Sequence, residues 1–305
     1  MTTSETEFQS RISSGAPLLT VEIAPPRGGD PAPVRDAAKR YAGKVHAIGV
    51  SDSRNGLCMS ALAAAAIVAA EGVECILHMV TRDRNRIALI GHCLGAQALG
   101  VRNLLCTSGT HQTLGVCPPA KNVYDVDSIQ LIDMMARLGR NGSTVCGEHF
   151  ETAGPFCVGA VAAPFADPQE LQLMRTAKKV NAGAKFLITQ PVYDLERFGA
   201  WLDAVRQRGL HEKTAILAGI QPLLDAEHAR AFAASRPSPR IPKEMMNRLS
   251  AGSDATAQRA AGIELAVETI KQLSALTGVR GFQISAEGGD DATLEIIQRS
   301  GLEAR

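Results

Sequence analysis

The stretch LLTVEIAPPRG, residues 18–28, places one carboxylate, Glu22, inside an apolar run that two prolines then stop. A carboxylate withdrawn from water without a partner is costly, so a group placed there is either a paired structural acid or a proton donor with a raised pKa. The first reading pairs it with a basic residue such as Arg27. In the second, desolvation by Val21, Ile23 and the prolines keeps the acid protonated near neutrality, as proton transfer to a substrate requires. Gln190 poses a parallel question: in NAGAKFLITQPVYD it ends an apolar run and offers a two-way amide, suited either to a heterocycle with donors and acceptors or to buried backbone. His78 and the following TRDRNR supply an imidazole and two guanidinium groups, Arg82 and Arg84, ahead of a helical segment; the set favours anions, and it also fits an ordinary charged loop. TSGTHQTLG, residues 107–115, adds a glycine and hydroxyls of the kind found at cofactor edges and in plain turns. Metal chemistry is poorly served: Cys146 and His149 lie close, but no second pair completes a tetrahedral set. A Cys–His nucleophile would lack an elbow and an orienting third member.

These residues need elements to position them. Apolar, β-rich runs over 18–23, 45–50, 74–79, 103–106, 156–161, 185–189, 215–219 and 281–284 alternate with helical patterns over 31–41, 57–70, 86–99, 127–138, 167–181, 195–208 and 256–276. Asp167 before Pro168 reads as a helix N-cap, and Gly183, Gly209 and Gly278 as glycines closing helices. Eight such units predict an α/β fold, a closed parallel (β/α)8 TIM barrel filling residues 1–305 as a single domain. Residues 1–16 read as a loose N-terminal arm, and SRPSPRIP, residues 235–242, as the start of an extra helix between the seventh and eighth units. The open doubly wound alternative lacks its G-x-G-x-x-G fingerprint after the first strand. In a closed barrel the carboxyl ends of the strands carry the chemistry. Glu22, Ser51, Asp52, His78, the 107–111 loop, Ala163, Pro164, Gln190 and Gln221 all fall there.

Composition narrows the partners. Basic and acidic residues number 32 and 31, which gives no field to recruit nucleic acid, and aromatics at 4% offer few stacking platforms. No run approaches the roughly 18 apolar residues that span a bilayer. The opening MTTSETEFQS is polar and acidic, unlike a secretory signal. Seven cysteines, an odd number without a C-x-x-C pair, several of them in apolar runs, suit a reducing cytoplasm.

Taken together, VEIAPPRG, HMVTRDRNRIALIGHCLGAQALGVRNLLCTSGTHQ, AVAAPFADP, KKVNAGAKFLITQPVYD and GVRGFQIS resemble, in this order from about residue 18 to 298, the methylenetetrahydrofolate reductase family. The resemblance implies a barrel that holds FAD at its carboxyl end, is reduced by NAD(P)H, and passes hydride to 5,10-methylenetetrahydrofolate, or runs in reverse. It implies Glu22 as the acid that opens the folate ring to an iminium ion and Gln190 as the residue that orients pterin and nicotinamide in turn. Gln221 and Tyr193 fall on the substrate side. Ser51, His78, Ser108, Gly109, Thr110, Asp125, Ala163 and Lys179 match cofactor-binding positions, Lys179 toward the ribityl or phosphate part. The partner implied is a small-molecule folate, with no metal, and a homo-oligomer is left open. Four departures stand out: Thr110 where relatives carry aspartate, Ala163 where they carry Tyr or Asn, Ala226 where some carry phenylalanine, and SAEGG after the eighth strand in place of Thr-Leu-Asn-Arg. Two alternatives therefore stay open. One is flavin-free hydride transfer from NADH; the other is a non-catalytic folate-binding subunit of a methyltransferase system.

Overall fold

Each apolar run is followed by a segment of helical periodicity, and parallel strands require a crossover of that length to pair. The computed structural model describes residues 5–53, 56–115, 117–151, 154–235 and 238–302. Eight parallel strands close into a barrel in chain order: β1 (Leu18–Ile23), β2 (Ala47–Val50), β3 (Cys75–Val80), β4 (Asn103–Thr107), β5 (Cys157–Ala162), β6 (Phe186–Pro191), β7 (Ala215–Ile220) and β8 (Val279–Ser285). The expected strands are all present, with ends displaced by no more than two residues. Pairing of β8 with β1 completes the ring and sets Thr20 opposite Gln283 and Glu22 opposite Ser285.

Around the barrel lie α1 (Glu7–Ser14), α2 (Ala32–Tyr41), α3 (Ala61–Ala70), α4 (Arg86–Ala98), α5 (Ser128–Asn141), α6 (Gln169–Asn181), α7 (Leu195–Gln207), α8 (Leu210–Lys213), α9 (Ala226–Ser235), α10 (Lys243–Ser250), α11 (Ala255–Ser274) and α12 (Asp290–Ser300). The expected extra helix is α10, which follows Pro242; residues 236 and 237 of the preceding segment lie outside the described residues. Two expectations about helix starts are corrected. The helix expected from 57 begins at Ala61, because the Met59 N–H donates to the Pro26 carbonyl at 2.8 Å and holds that stretch against the first loop. Asp167 does not cap α6: Pro168 is the N-cap, and Asp167 pairs with Arg197.

The larger correction concerns the N-terminus. Residues 1–4 lie outside the described residues, but from Thr6 onward the chain is no loose arm. Thr6 and Gln9 form a reciprocal capping box that starts α1. Phe8 is fully buried, with its ring edge-on to Phe186 at 5.3 Å. The Phe8 N–H donates to Glu74 Oε1 at 2.9 Å, and Gln9 donates to Asn103. Helix α1 thereby closes the amino-terminal end of the barrel.

Successive side chains of a strand point to opposite faces, so each strand serves two environments. Val21, Ile48, Leu77, Leu104 and Ile216 pack outward in the layer shared with the helices. Leu18, Ala47, Ile76, Leu105, Phe186 and Leu217 join Phe8 in a separate apolar cluster inside the barrel. Gly159 makes room for that cluster, since a methyl group there would lie 2.2 Å from the Phe186 ring. Of the cysteines, Cys75, Cys93, Cys106 and Cys157 are buried, and all seven are free thiols.

Candidate active site

The inward positions of β1 change character toward the carboxyl end, from Leu18 through Thr20 to Glu22. The Gln283 amide donates from Nε2 to Glu22 Oε2 at 2.8 Å, and its Oε1 accepts from the Thr20 hydroxyl at 3.2 Å. This half-buried carboxyl is thus held across the seam where the barrel closes. Next to it Gly49 leaves space: a methyl group there would lie 3.0 Å from His78 Nε2 and 3.6 Å from Gln283 Oε1. The fold therefore brings Glu22, His78 and Gln283 to one polar floor beneath the mouth. Sequence reading missed Gln283 and Thr20. The available signal was period-two alternation in GFQIS, which puts a glutamine on the same face of β8 as Gly281 and Ser285.

Other expected residues surround that floor. Ser51 is buried and donates to the Ile23 carbonyl at 3.4 Å. Gln190 accepts from the Phe165 N–H at 3.3 Å and donates to Ser238 Oγ at 3.0 Å, so the segment before α10 reaches over it. Tyr193 donates to the Gln221 carbonyl at 3.0 Å and packs edge-on against Phe232. Gln221 is only 3% exposed, and neither Oε1 nor Nε2 has a hydrogen-bond partner among the described residues. A buried amide left so costs about 1–3 kcal/mol per group, a cost that a polar ligand removes.

On the side of β3 to β5, the Ser108 carbonyl accepts from the Arg82 N–H at 3.2 Å, and Gly109 turns with φ +80°, close over Val80 and Arg82. Thr110 is exposed, and its carbonyl accepts from Arg82 at 3.0 Å. Ala163 is half-buried beyond β5. Asp125 takes two bonds from the Arg86 guanidinium and one from its N–H, all at 2.9 Å, which pulls its pKa down to about 2. It anchors the start of α4. Ala226 is buried at the first turn of α9. The segment SAEGG forms a short 3₁₀ turn over Ala286–Gly288.

In the cationic loop after β3, the arginines take the second of the two readings, that of an ordinary charged loop. Arg82 forms two 2.7 Å bonds with Asp83, and Arg84 forms a 2.6 Å bond with the buried Asp52, which also accepts from the Val80 N–H. Both guanidinium groups are thus neutralised by carboxylates that the sequence places within a few residues or at the end of β2. Lys179 contrasts with them. Its ammonium donates to the Val161 carbonyl at 2.6 Å and forms no ion pair among the described residues, and burial lowers its pKa to about 8.

The architecture is a (β/α)8 barrel whose polar groups gather at the carboxyl-terminal mouth. The methylenetetrahydrofolate reductase profile matches residues 7–301. A probable methylenetetrahydrofolate reductase (NADPH) of Caenorhabditis elegans is 26% identical over 166 residues, 53% of this chain and 22% of that protein. Methylenetetrahydrofolate reductase 1 of Schizosaccharomyces pombe is 31% identical over 152 residues, 48% of this chain and 24% of its own length. The 5,10-methylenetetrahydrofolate reductase of Buchnera aphidicola is 26% identical over 152 residues, 48% of this chain and 51% of that enzyme. The matched stretch is thus about half of the bacterial relative and less than a quarter of the two eukaryotic ones. Among solved structures, a Clostridium thermocellum protein that binds two copies of 5-methyl-5,6,7,8-tetrahydrofolic acid shares the fold with a TM-score of 0.69 at 14% identity, covering 96% of this chain and 97% of that one. The chain belongs to the methylenetetrahydrofolate reductase family.

Proposed function

We propose that this chain interconverts 5,10-methylenetetrahydrofolate and 5-methyltetrahydrofolate by hydride transfer, with NAD(P)H as the reductant, FAD as the intermediary and Glu22 as the proton donor. The observation that carries this reading is the half-buried carboxyl of Glu22, held by the Gln283 amide at 2.8 Å at the carboxyl-terminal end of β1. A positioned carboxylic acid there gives its proton to a folate nitrogen as the carbon–nitrogen bond of the five-membered ring breaks. The unpartnered Gln221 amide supplies the donor and acceptor that a pterin or its side chain needs, with Tyr193 fixing the Gln221 backbone. Gln190 orients the heterocycles once its amide exchanges Ser238 for a ligand. The small-molecule partner is accordingly a reduced folate.

The residues fit FAD in charge. Lys179 offers a buried ammonium with no carboxylate partner among the described residues to an anionic diphosphate, and Gly49 lets His78 and Gln283 come close to the floor, where a methyl group would lie 3.0 Å from His78 Nε2. Ser51, His78, Ser108, Gly109, Thr110, Asp125, Ala163 and Lys179 are the positions assigned to holding it. When bound, FAD supplies a two-electron carrier between nicotinamide and folate. Thr110 brings a neutral side chain to a place where an aspartate would stabilise developing positive charge, worth about 3 kcal/mol in comparable preorganised sites.

An absorbance spectrum of the freshly isolated protein tests the reading. A flavin band that bleaches with NAD(P)H and recovers on adding methylenetetrahydrofolate is expected. A colourless protein that still oxidises NADH with methylenetetrahydrofolate would overturn the flavin route and leave direct transfer. Folate binding without turnover under either condition would overturn the reductase reading in favour of a binding subunit.

A further inference from the structure

At the amino-terminal end, opposite the mouth, a cavity of about 570 Å³ opens between α1, the starts of β1 and β8, and the end of α12. That volume is in the range of small-molecule sites. Among the described residues its charged lining is basic: Arg11, Arg280 and the titratable His46 contribute, and no acidic residue does. Leu19, Phe282 and Leu302 supply apolar wall.

The hydrogen-bond state of two of these groups is unusual. His46 Nδ1 accepts from the Leu19 N–H at 2.8 Å, so the neutral ring carries its proton on Nε2. Nε2 is buried without a hydrogen-bond partner among the described residues, in a side chain only 8% exposed. Arg280 Nε is also buried and unpartnered, while Nη2 makes three long contacts of 3.4–3.5 Å to carbonyls at the end of α1. Among the described residues Nη1 makes none, and no carboxylate pairs with this guanidinium. Arg11 is partly engaged by Glu7 at 3.2 Å. Both N–H groups are themselves buried behind the wall, so a ligand meets the Arg280 and Arg11 guanidinium groups that line the cavity.

We infer that this cavity is a second binding site, for a small amphiphilic anion: an apolar body against Leu19, Phe282 and Leu302, and a carboxylate, sulfonate or phosphate against Arg280 and Arg11. It does not depend on the chemistry assigned to the mouth. An anionic head group supplies the charged partner that Arg280 lacks among the described residues, and the partly apolar wall selects against bare inorganic ions. The amino-terminal face of such barrels is remote from the reacting groups.

Fluorescence titration with 8-anilinonaphthalene-1-sulfonate, beside its uncharged analogue N-phenyl-1-naphthylamine, tests the site. The wild-type chain is expected to bind the sulfonate at least about tenfold more tightly than the neutral ring, the effect of one charge-assisted hydrogen bond. Arg280→Met, which keeps the aliphatic stem, should abolish that preference. Because Arg280 also caps α1, Ser274→Trp at the rim provides a second variant that leaves every cationic group in place, and it should weaken both probes. Equal affinity of the wild type for the two probes, or sulfonate binding within about twofold of wild type in both variants, would overturn the proposal.

Discussion

The two ends of the barrel are built from the same eight strands and solve opposite problems. At the amino-terminal end the interior is closed by Phe8 on Phe186, with Leu18, Ala47, Ile76 and Leu105 around them. Two residues further along β1 the inward position is Thr20, and two beyond that it is Glu22, in contact with Gln283 and near His78. One end therefore gains stability from dry packing, and the other places polar groups where packing is incomplete. Dry packing and polar placement are thus sorted along the strand axis, so substitutions at one end should leave the other largely intact.

The strongest break in that comparison is Glu22→Gln. It should lower folate reduction by about 10²–10⁴-fold while folate affinity stays within a few-fold, measured by steady-state turnover and by ligand titration. Unchanged turnover would remove the role assigned to this acid. At the opposite end Phe8→Ala should cost about 3–5 kcal/mol in a denaturant titration and leave the turnover of the folded protein unchanged. Gly159→Ala sharpens the same point, since its methyl group collides with the Phe186 ring and should cost about 1–3 kcal/mol. Gln283→Leu tests whether Glu22 needs its amide. A fall of about tenfold in kcat/KM is expected, with little change in the unfolding midpoint.

The smallest effect concerns Lys179. Burial lowers its pKa from 10.5 to about 8, so between these pH values the unfolded chain holds a proton that the folded chain has released. Stability of the wild type should therefore rise with pH across that window. Lys179→Met carries no such proton and should be more stable than wild type by about 1 kcal/mol or more below pH 8. The gap should narrow as pH approaches 10.5, which thermal melts on both sides of the window would read.

Much of the fold was legible because parallel strands buried on both faces read as short apolar runs, and each was followed by a segment of helical period. Glu22 was legible for the complementary reason, as a charge in a place where charges are expensive. The N-terminal segment was not, because EFQSRISS carries only two large apolar residues, Phe8 and Ile12, and the value of Phe8 depends on Phe186 lying beneath it. Arg82 and Arg84 looked like anion contacts because adjacency in sequence does not reveal that Asp83 and Asp52 bind them first.

The chain alone determined the alternating pattern, and with it a closed parallel barrel carrying its polar side chains at the carboxyl ends of strands. Only the tertiary structure decided that Gln283, 261 residues away, holds Glu22, that α1 seals the far end, and that His46 and Arg280 share a cavity there. Periodicity is a local property fixed by residue order, whereas these contacts arise when β8 pairs with β1, and ring closure joins groups that no local pattern relates.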